Sequence, residues 1–426
     1  MRIAVIGAGI SGLAAAWLLS NKHQVTLFEA GDYLGGHTHT VDVEVNGVHC
    51  PVDTGFLVFN HRTYPNLTAM FSSLQVKTVA SDMSFAVSLE NPAVEWAGSN
   101  LSTLFAQKRN ISRIGFWRML KDTLRFNRDT AQPNLPEISL GRYLDQNHYS
   151  AEFRNWYLLP MGAAIWSCPT QAMLDYPLTT FIRFCRNHGL LQIFDRPQWH
   201  TVTDGGREYV KRIAAQLSDV RLAQPVQAVK REERGVGVIL SSGAHENFDE
   251  VVFACHSDQA LAMLGVGGSP TERELLGAVR YQPNRAMLHT DVRLLPRDPR
   301  VWSAWNYMAG KNASGAQSVS VSYLINKLQP LRVETPVILS LNPQFQPDPA
   351  TILGDYEYAH PLFDHAAVVA QQKLPLIQGV DRMWFCGAWT GYGFHEDGLV
   401  SALAVANQLG CVAPWQQGSS GLVAAA

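Results

Sequence analysis

Gly7-Ala8-Gly9-Ile10-Ser11-Gly12 is the first segment whose residue types and spacing can do chemistry. An apolar run, Ile3–Ile6, precedes it and reads as a strand; Ser11–Ser20 follows and reads as a helix. In that setting Gly7 permits a tight turn, Gly9 lets the backbone approach a pyrophosphate, and Gly12 lets the helix pack closely on the strand. The helix N-terminus presents free N–H groups and the positive end of its dipole to phosphate. Glu29 lies 22 positions after Gly7, with Ala30 beside it, at the end of a second strand. A carboxylate there binds ribose hydroxyls and disfavours a 2′-phosphate.

Gly35-Gly36 lets the chain pass close to the same dinucleotide a second time. This double glycine resembles the extension found in the FAD-dependent amine-oxidase and phytoene-desaturase superfamily. Further segments carry the resemblance: Asp53-Thr54-Gly55 with Phe56, Asp204-Gly205-Gly206 before a helix, Val226 in the next strand, Phe385-Cys386-Gly387-Ala388, and Gly393 through Gly398-Leu399. It implies FAD as cofactor, with Thr54, Gly55, Val226, Gly387, Ala388, His395, Glu396, Asp397, Gly398 and Leu399 around it. Two positions depart from the superfamily: His37 stands where Arg is usual after the glycine pair, and Ala388 where an acid is frequent.

His395 is the candidate catalytic residue. The resemblance puts it where amine oxidases place an aromatic wall of their substrate cage. Two readings stand: an acid or base toward a substrate carbon, or a neutral imidazole hydrogen-bonded beside the cofactor. Glu396 and Asp397 are expected to cap a helix starting near Gly398. Trp389 and Tyr392 are candidate walls of a substrate channel, with core packing as the alternative. His37 and His39 share strand parity with Val41 and Val43, so both are expected to face inward. No third ligand accompanies them, and no metal is expected. Arg285 is the nearest positional candidate for the lysine that amine oxidases use at the flavin.

These residues need elements to hold them. Alternation over Thr38–Val45, Asn46-Gly47 and Val48–Val52 predicts a type I′ hairpin. Arg62–Gln192 reads as mostly helical, with strand patterns near Lys77–Glu90. Asp204–Leu217 reads as a helix, and Val220–Glu232, Gly235–Ser241 and Phe248–Cys255 as three strands. Met383–Phe385 reads as a strand and Gly398–Leu409 as a closing helix. The expected fold class is α/β: a discontinuous FAD-binding Rossmann-type domain, glutathione-reductase-like, with an interrupting α+β substrate domain. The boundaries are 1–65, 195–270 and 375–415 for the first, 66–194 and 271–374 for the second, and a disordered tail over 416–426.

Composition fits a packed enzyme: 426 residues, 46% hydrophobic, 16% charged, net charge −2. That balance offers no bulk attraction to nucleic acid. Cys50, Cys168, Cys185, Cys255, Cys386 and Cys411 form no CxxC and are expected to be reduced thiols, which points to the cytoplasm. The apolar Ile3–Leu19 stretch is broken by glycines and reads as strand, turn and helix, not a leader.

The chain is also similar to a narrower family, the flavoproteins associated with cyclopropane-fatty-acid synthases and in plants fused to them. TGFLVFNHRTYPN (54–66), SDMSFAVSLEN (81–91), LFAQKRN (104–110), IWSCP (165–169), FCRNHGLLQ (184–192), RPQW (196–199), VWSAWNYM (301–308) and WFCGAWTGYGFHEDGL (384–399) carry that likeness. It implies an FAD-dependent oxidoreductase on an unsaturated or branched fatty-acyl substrate, with a fatty-acid methyltransferase or cyclopropane synthase as functional partner. An amine oxidase and an FAD-stabilised, non-catalytic partner of the methyltransferase are the alternatives. Residues 108–128 hold seven Lys or Arg against one acid, with Ile111, Ile114, Trp117, Leu120 and Leu124 at near-helical spacing. This predicts a basic amphipathic helix that either rests peripherally on the inner face of a membrane or is an ordinary solvated helix.

Overall fold

Strands that run apolar without alternation must be covered on both faces. Arg2–Ile6, Glu250–Phe253 and Met383–Phe385 are of this kind, and all three lie in one parallel sheet. Its order is Val220–Arg221, Gln24–Phe28, Arg2–Ile6, Glu250–Phe253, Met383–Phe385. The computed structural model describes residues 1–132, 134–166, 170–192, 196–311 and 317–416. Cys168 and residues 417–426 of the tail lie outside them.

The first helix, Ile10–Leu19, is buried along its whole length. That explains its membrane-like composition, and no described helix is long and apolar enough to cross a membrane. The C-terminal helix, His395–Gln408, packs alongside it, and Gly398 makes the approach possible. A Cβ at Gly398 would stand 2.8 Å from Ser11 Oγ and 2.9 Å from Ile10 Cγ2.

The Asn46-Gly47 hairpin forms as expected, with φ of 50° and 77° at its two central residues. Other expectations need correction. Strand Thr40–Val45 begins too late to include His37 and His39, so strand parity does not orient those rings. Val220–Glu232 is not one strand. Val220–Arg221 joins the parallel sheet, and Val226–Glu232 opens a three-stranded antiparallel meander with Gly235–Leu240 and His245–Phe248. Between them Ala223 takes a left-handed φ of 52°, and Pro225 has no N–H to give a ladder. The chain hooks onto the end of the second strand instead: Ala223 N–H donates to Gly31 O and Gln224 N–H to Glu29 O. Trp415, at the end of the 375–415 segment, stacks on Trp17 and donates to Asn66 Oδ1.

A seven-stranded mixed sheet forms the second layer, in the order Ile352–Leu362, Arg280–His289, Ile338–Leu341, Gln317–Leu324, Trp305–Lys311, Phe85–Leu89, Val94–Ala97. Register places Trp305 beside Tyr323 and Tyr323 beside Leu339, an apolar row across three strands. A block of helices, among them Ile114–Asp129, Leu159–Trp166 and Leu178–Asn187, closes the other side.

The C-terminal helix starts at His395, three residues ahead of the expected Gly398. Asp397 does cap it, accepting from Phe394 N–H at 2.9 Å. Glu396 serves a different helix: its carboxylate accepts from Asn66 and Leu67 N–H, both at 2.9 Å, at the start of helix Pro65–Ser73. Glu396→Ala strands both donors and should cost about 1–3 kcal/mol in a urea unfolding titration. A variant as stable as the parent would show that water replaces the carboxylate without loss.

Candidate functional site

The C-terminal edge of a parallel sheet is where a helix N-terminus can meet a ligand. Gly7 holds a φ of 102° with its Cα packed on Ala254 and Cys255. At Gly12 a Cβ would stand 1.7 Å from Gly7 O, so only glycine lets the helix begin there. Gly9 is different, because nothing lies within 4 Å of where its Cβ would be. Its open side faces a cavity of about 700 Å³, within the usual range for ligand sites.

Most of the sequence-derived cofactor residues line that cavity: Gly7, Gly9, Ile10, Ser11, Glu29, Ala30, Gly35, Gly36, His37, Thr54, Gly55, Phe56, Val226, Gly387, Ala388 and His395. Trp389 and Tyr392 line it too. Gly12, Glu396, Asp397, Gly398 and Leu399 do not; they stand behind the wall, where Gly12 and Gly398 set helix approach and Glu396 and Asp397 cap helices. Glu29 accepts from Ala8 N–H at 2.7 Å and Gly31 N–H at 2.8 Å, one on each oxygen. Each oxygen keeps a lone pair for a hydroxyl. The hook at Ala223–Gln224 brings Gln224 and Val226 to the same end of the cavity.

Asp53 holds the adjoining turn. It is fully buried and accepts from Thr40 Oγ1, from Gly206 N–H at 2.9 Å and from Gln329 Nε2 at 2.9 Å, tying three distant chain segments together. Burial raises its pKa to about 7, and the hydrogen bonds from Thr40 and Gly206 oppose that rise.

The histidines divide into separate groups. His39 turns to Thr54 Oγ1 at 2.9 Å and Tyr358 OH at 3.0 Å. His37 instead faces His360 and His256, with ring centroids 5.2 and 6.2 Å away. Burial, and then the neighbouring histidines, hold His37 well below the ordinary imidazole range. Its Nε2 is buried beside Gly36 and finds no protein partner among the described residues. An orphaned ring nitrogen next to two glycines fits the pyrophosphate of a dinucleotide. His256 and His360 were not legible in the sequence, because one arrives from the start of helix Ser257–Leu264 and the other from strand Ile352–Leu362, with no shared motif.

His395 stacks on Phe56 at 3.8 Å between centroids, and its Nε2 hydrogen-bonds Thr38 Oγ1 at 2.8 Å. Tyr209 OH lies 3.3 Å from the same nitrogen. Burial lowers its pKa to about 3, so the ring is neutral at physiological pH. Arg285 is no part of this site; it is exposed and pairs across strands with Asp355 at 2.6 Å. Burial pushes the Cys255 thiol up to about 12 and those of Cys185 and Cys386 higher still, which disfavours their thiolates.

Beyond the glycine-lined end, the cavity becomes an apolar arm. Phe184 is its hub, with Trp166 at 4.5 Å, Phe394 at 5.0 Å and Tyr392 at 5.7 Å between ring centroids. His188, missed in the sequence, stacks on Phe184 at 3.9 Å and is neutral, its pKa lowered by burial to about 4. The Trp305, Tyr323 and Leu339 row forms the facing wall. No Lys or Arg lines the cavity among the described residues, and Glu29 is its one carboxylate there.

A family model described as flavin containing amine oxidoreductase matches residues 10–283. The carotenoid phi-ring synthase of Chlorobaculum tepidum is 30% identical over 165 residues, which is 36% of this chain and 23% of that protein. Polyamine oxidase 4 of Oryza sativa subsp. japonica is 24% identical over 261 residues, 59% of this chain and 50% of that protein. The chain therefore matches half or less of the length of these curated relatives. A CLA-producing fatty acid isomerase from P. acnes shares the fold across 96% of this chain and 98% of its own, with a TM-score of 0.67 and 14% identity.

Two outcomes are expected. Gly9→Leu should fold, since the protein leaves room for the side chain, yet bind FAD at least about tenfold more weakly because that room is the ligand's. Equal flavin content in parent and variant would sink this. The buried histidines set a pH dependence. Their folded pKa values, about 3 for His395 and about 4 for His188 and His360, lie below the unfolded value, about 6.5. The unfolded chain thus binds more protons on acidification, and stability present above about pH 6.5 drains away as pH falls toward 4. Urea midpoints that stay level from pH 7 to pH 5 would contradict it.

Proposed function

Because the chain belongs to the flavin-containing amine oxidoreductase family and its cofactor is FAD, we propose that it is an FAD-dependent oxidoreductase acting on a long hydrophobic acyl chain, unsaturated or branched, such as one carried by a phospholipid. The observation that carries this reading is the uncharged, aromatic-walled arm that continues from the cofactor end of the cavity. A protonated amine brought into that arm would lose its hydration without meeting a carboxylate, whereas an acyl chain loses only contact with water. The fatty acid isomerase that shares the fold supports the same substrate class.

Bound flavin supplies a two-electron acceptor or donor. The chain's own residues do the rest. The Phe184 cluster and the Trp305 row exclude water and align the substrate. His395 holds a neutral imidazole in the cavity lining, where it can orient a group or move a proton. A fatty-acid methyltransferase or cyclopropane synthase would be the functional partner, making or consuming the same acyl product.

Anaerobic flavin absorbance tests the proposal. Phospholipids with unsaturated or methyl-branched chains should bleach the oxidised flavin, or reoxidise chemically reduced protein, while simple amines do neither. Bleaching by amines alone would replace this reading with amine oxidation. No response in either direction to either class would favour a non-catalytic partner subunit. His395→Phe should keep the flavin and slow the lipid reaction by about 100-fold if the imidazole transfers a proton; an unchanged rate would leave it a packing role.

A further inference from the structure

The outward face of helix Ile114–Asp129 is the wrong kind of surface for water. Its inner face is set by Phe116, Met119, Asp122 and Phe126, all buried. On the opposite side Ile114 is 71% exposed, Trp117 50% and Leu124 56%. Ile111, one short turn earlier, is 56% exposed and its carbonyl accepts from Trp117 Nε1. Phe105 stacks near Trp117 and links this patch to Leu101, which is 75% exposed. Of the residues expected on this stripe, only Leu120 turns inward to the core.

Cations interleave with these apolar side chains on the same face. At 100° per residue, Lys121 and Arg128 fall between Ile114 and Trp117, and Arg118 and Arg125 flank them. The acids are drawn away from the surface: Asp122 is buried against Ser150 N–H and Arg125, and Asp129 is held by Tyr149 OH and Arg128. Glu152 engages Arg118 at 3.5 Å. Lys108, Arg109 and Lys121 pair with no carboxylate among the described residues and are exposed.

We propose that this face docks on an anionic lipid bilayer, with Ile111, Ile114, Trp117 and Leu124 entering the headgroup boundary and Lys121, Arg128 and Lys108 reaching lipid phosphates. A protein partner fits less well, because the cores of protein interfaces are depleted in Lys and here Lys121 sits in the middle of the patch. At a bilayer the same interleaving is favourable, since long cationic side chains lay their stems on apolar surface and carry their charge out to phosphate. The helix also has a place in the site's architecture. Phe126 on its inner face packs on Tyr149 and Phe153, in the same core cluster as Trp166 and Phe184 of the cavity arm. The docked face and the arm are thus two sides of one helical block. The docking inference stands apart from the substrate proposal, because binding is read without turnover.

The test is co-sedimentation of the flavin-loaded full chain with vesicles of phosphatidylcholine alone and of phosphatidylcholine with phosphatidylglycerol. Binding is expected to the anionic vesicles only and to fall at high salt. Ile114→Ser with Trp117→Ser, and separately Lys121→Glu with Arg128→Glu, should each weaken it at least about tenfold while keeping flavin content and circular dichroism. Equal partition of parent and both variants, or no binding to anionic vesicles, overturns the proposal. A parent that elutes as a dimer in gel filtration and a serine variant that elutes as a monomer would also overturn it, in favour of an interface between two copies.

Discussion

The site depends on two helix N-termini being forced together. The first helix starts at Ile10 and the C-terminal helix at His395, and both positions face the same cavity. Each end carries unpaired N–H groups and about half a positive charge, so the pair repels in an apolar protein interior. Glycine makes the crowding sterically allowed: Gly12 lies against the Gly7 carbonyl and Gly398 against Ser11 and Ile10. At the C-terminal helix, Glu396 and Asp397 in the first turn offset part of that cost; the first helix has no acid there, and the pyrophosphate of a bound dinucleotide would supply the negative charge. Cofactor and fold are therefore one problem. A side chain at Gly398 opens the helix pair and one at Gly12 lifts the first helix off its own turn, whereas one at Gly9 fills the space left for the ligand.

Charge is otherwise kept out. The cavity's described lining has one carboxylate, spent on two backbone N–H groups, and histidines held neutral by burial. In so apolar a setting an unpaired charge is costly. The uncharged arm and the low imidazole pKa values are thus two expressions of one dry interior. The same dryness raises the pKa of Asp53 to about 7, although Gly206 and Gln329 donate to its carboxylate.

The outer surface of the helical block has the opposite character. Its cations and apolar residues are mixed on one face, while its acids are engaged by neighbouring groups or turned inward. One block thus presents a dry aromatic wall to the cavity and a basic apolar face to the outside. A substrate drawn from a lipid phase and a protein resting on that phase are compatible demands on the same few helices.

The sequence by itself determined the strand–turn–helix at Gly7–Gly12, the acid at Glu29 and the Asn46-Gly47 hairpin, because each rests on local geometry that only certain residues permit. It also picked out most of the residues that line the glycine-rich end of the cavity, since glycine spacing encodes close backbone approach. Tertiary structure decided the rest. The hook at Ala223 splits an apparent strand because its hydrogen bonds go to Glu29 and Gly31, about two hundred residues earlier. Glu396 caps a helix that begins at Pro65 instead of its own. His37, His256 and His360 meet only when a glycine-rich loop, the start of helix Ser257–Leu264 and strand Ile352–Leu362 converge. No local pattern reports such encounters, because their energy comes from burial and hydrogen bonding between segments whose separation in the chain carries no periodicity.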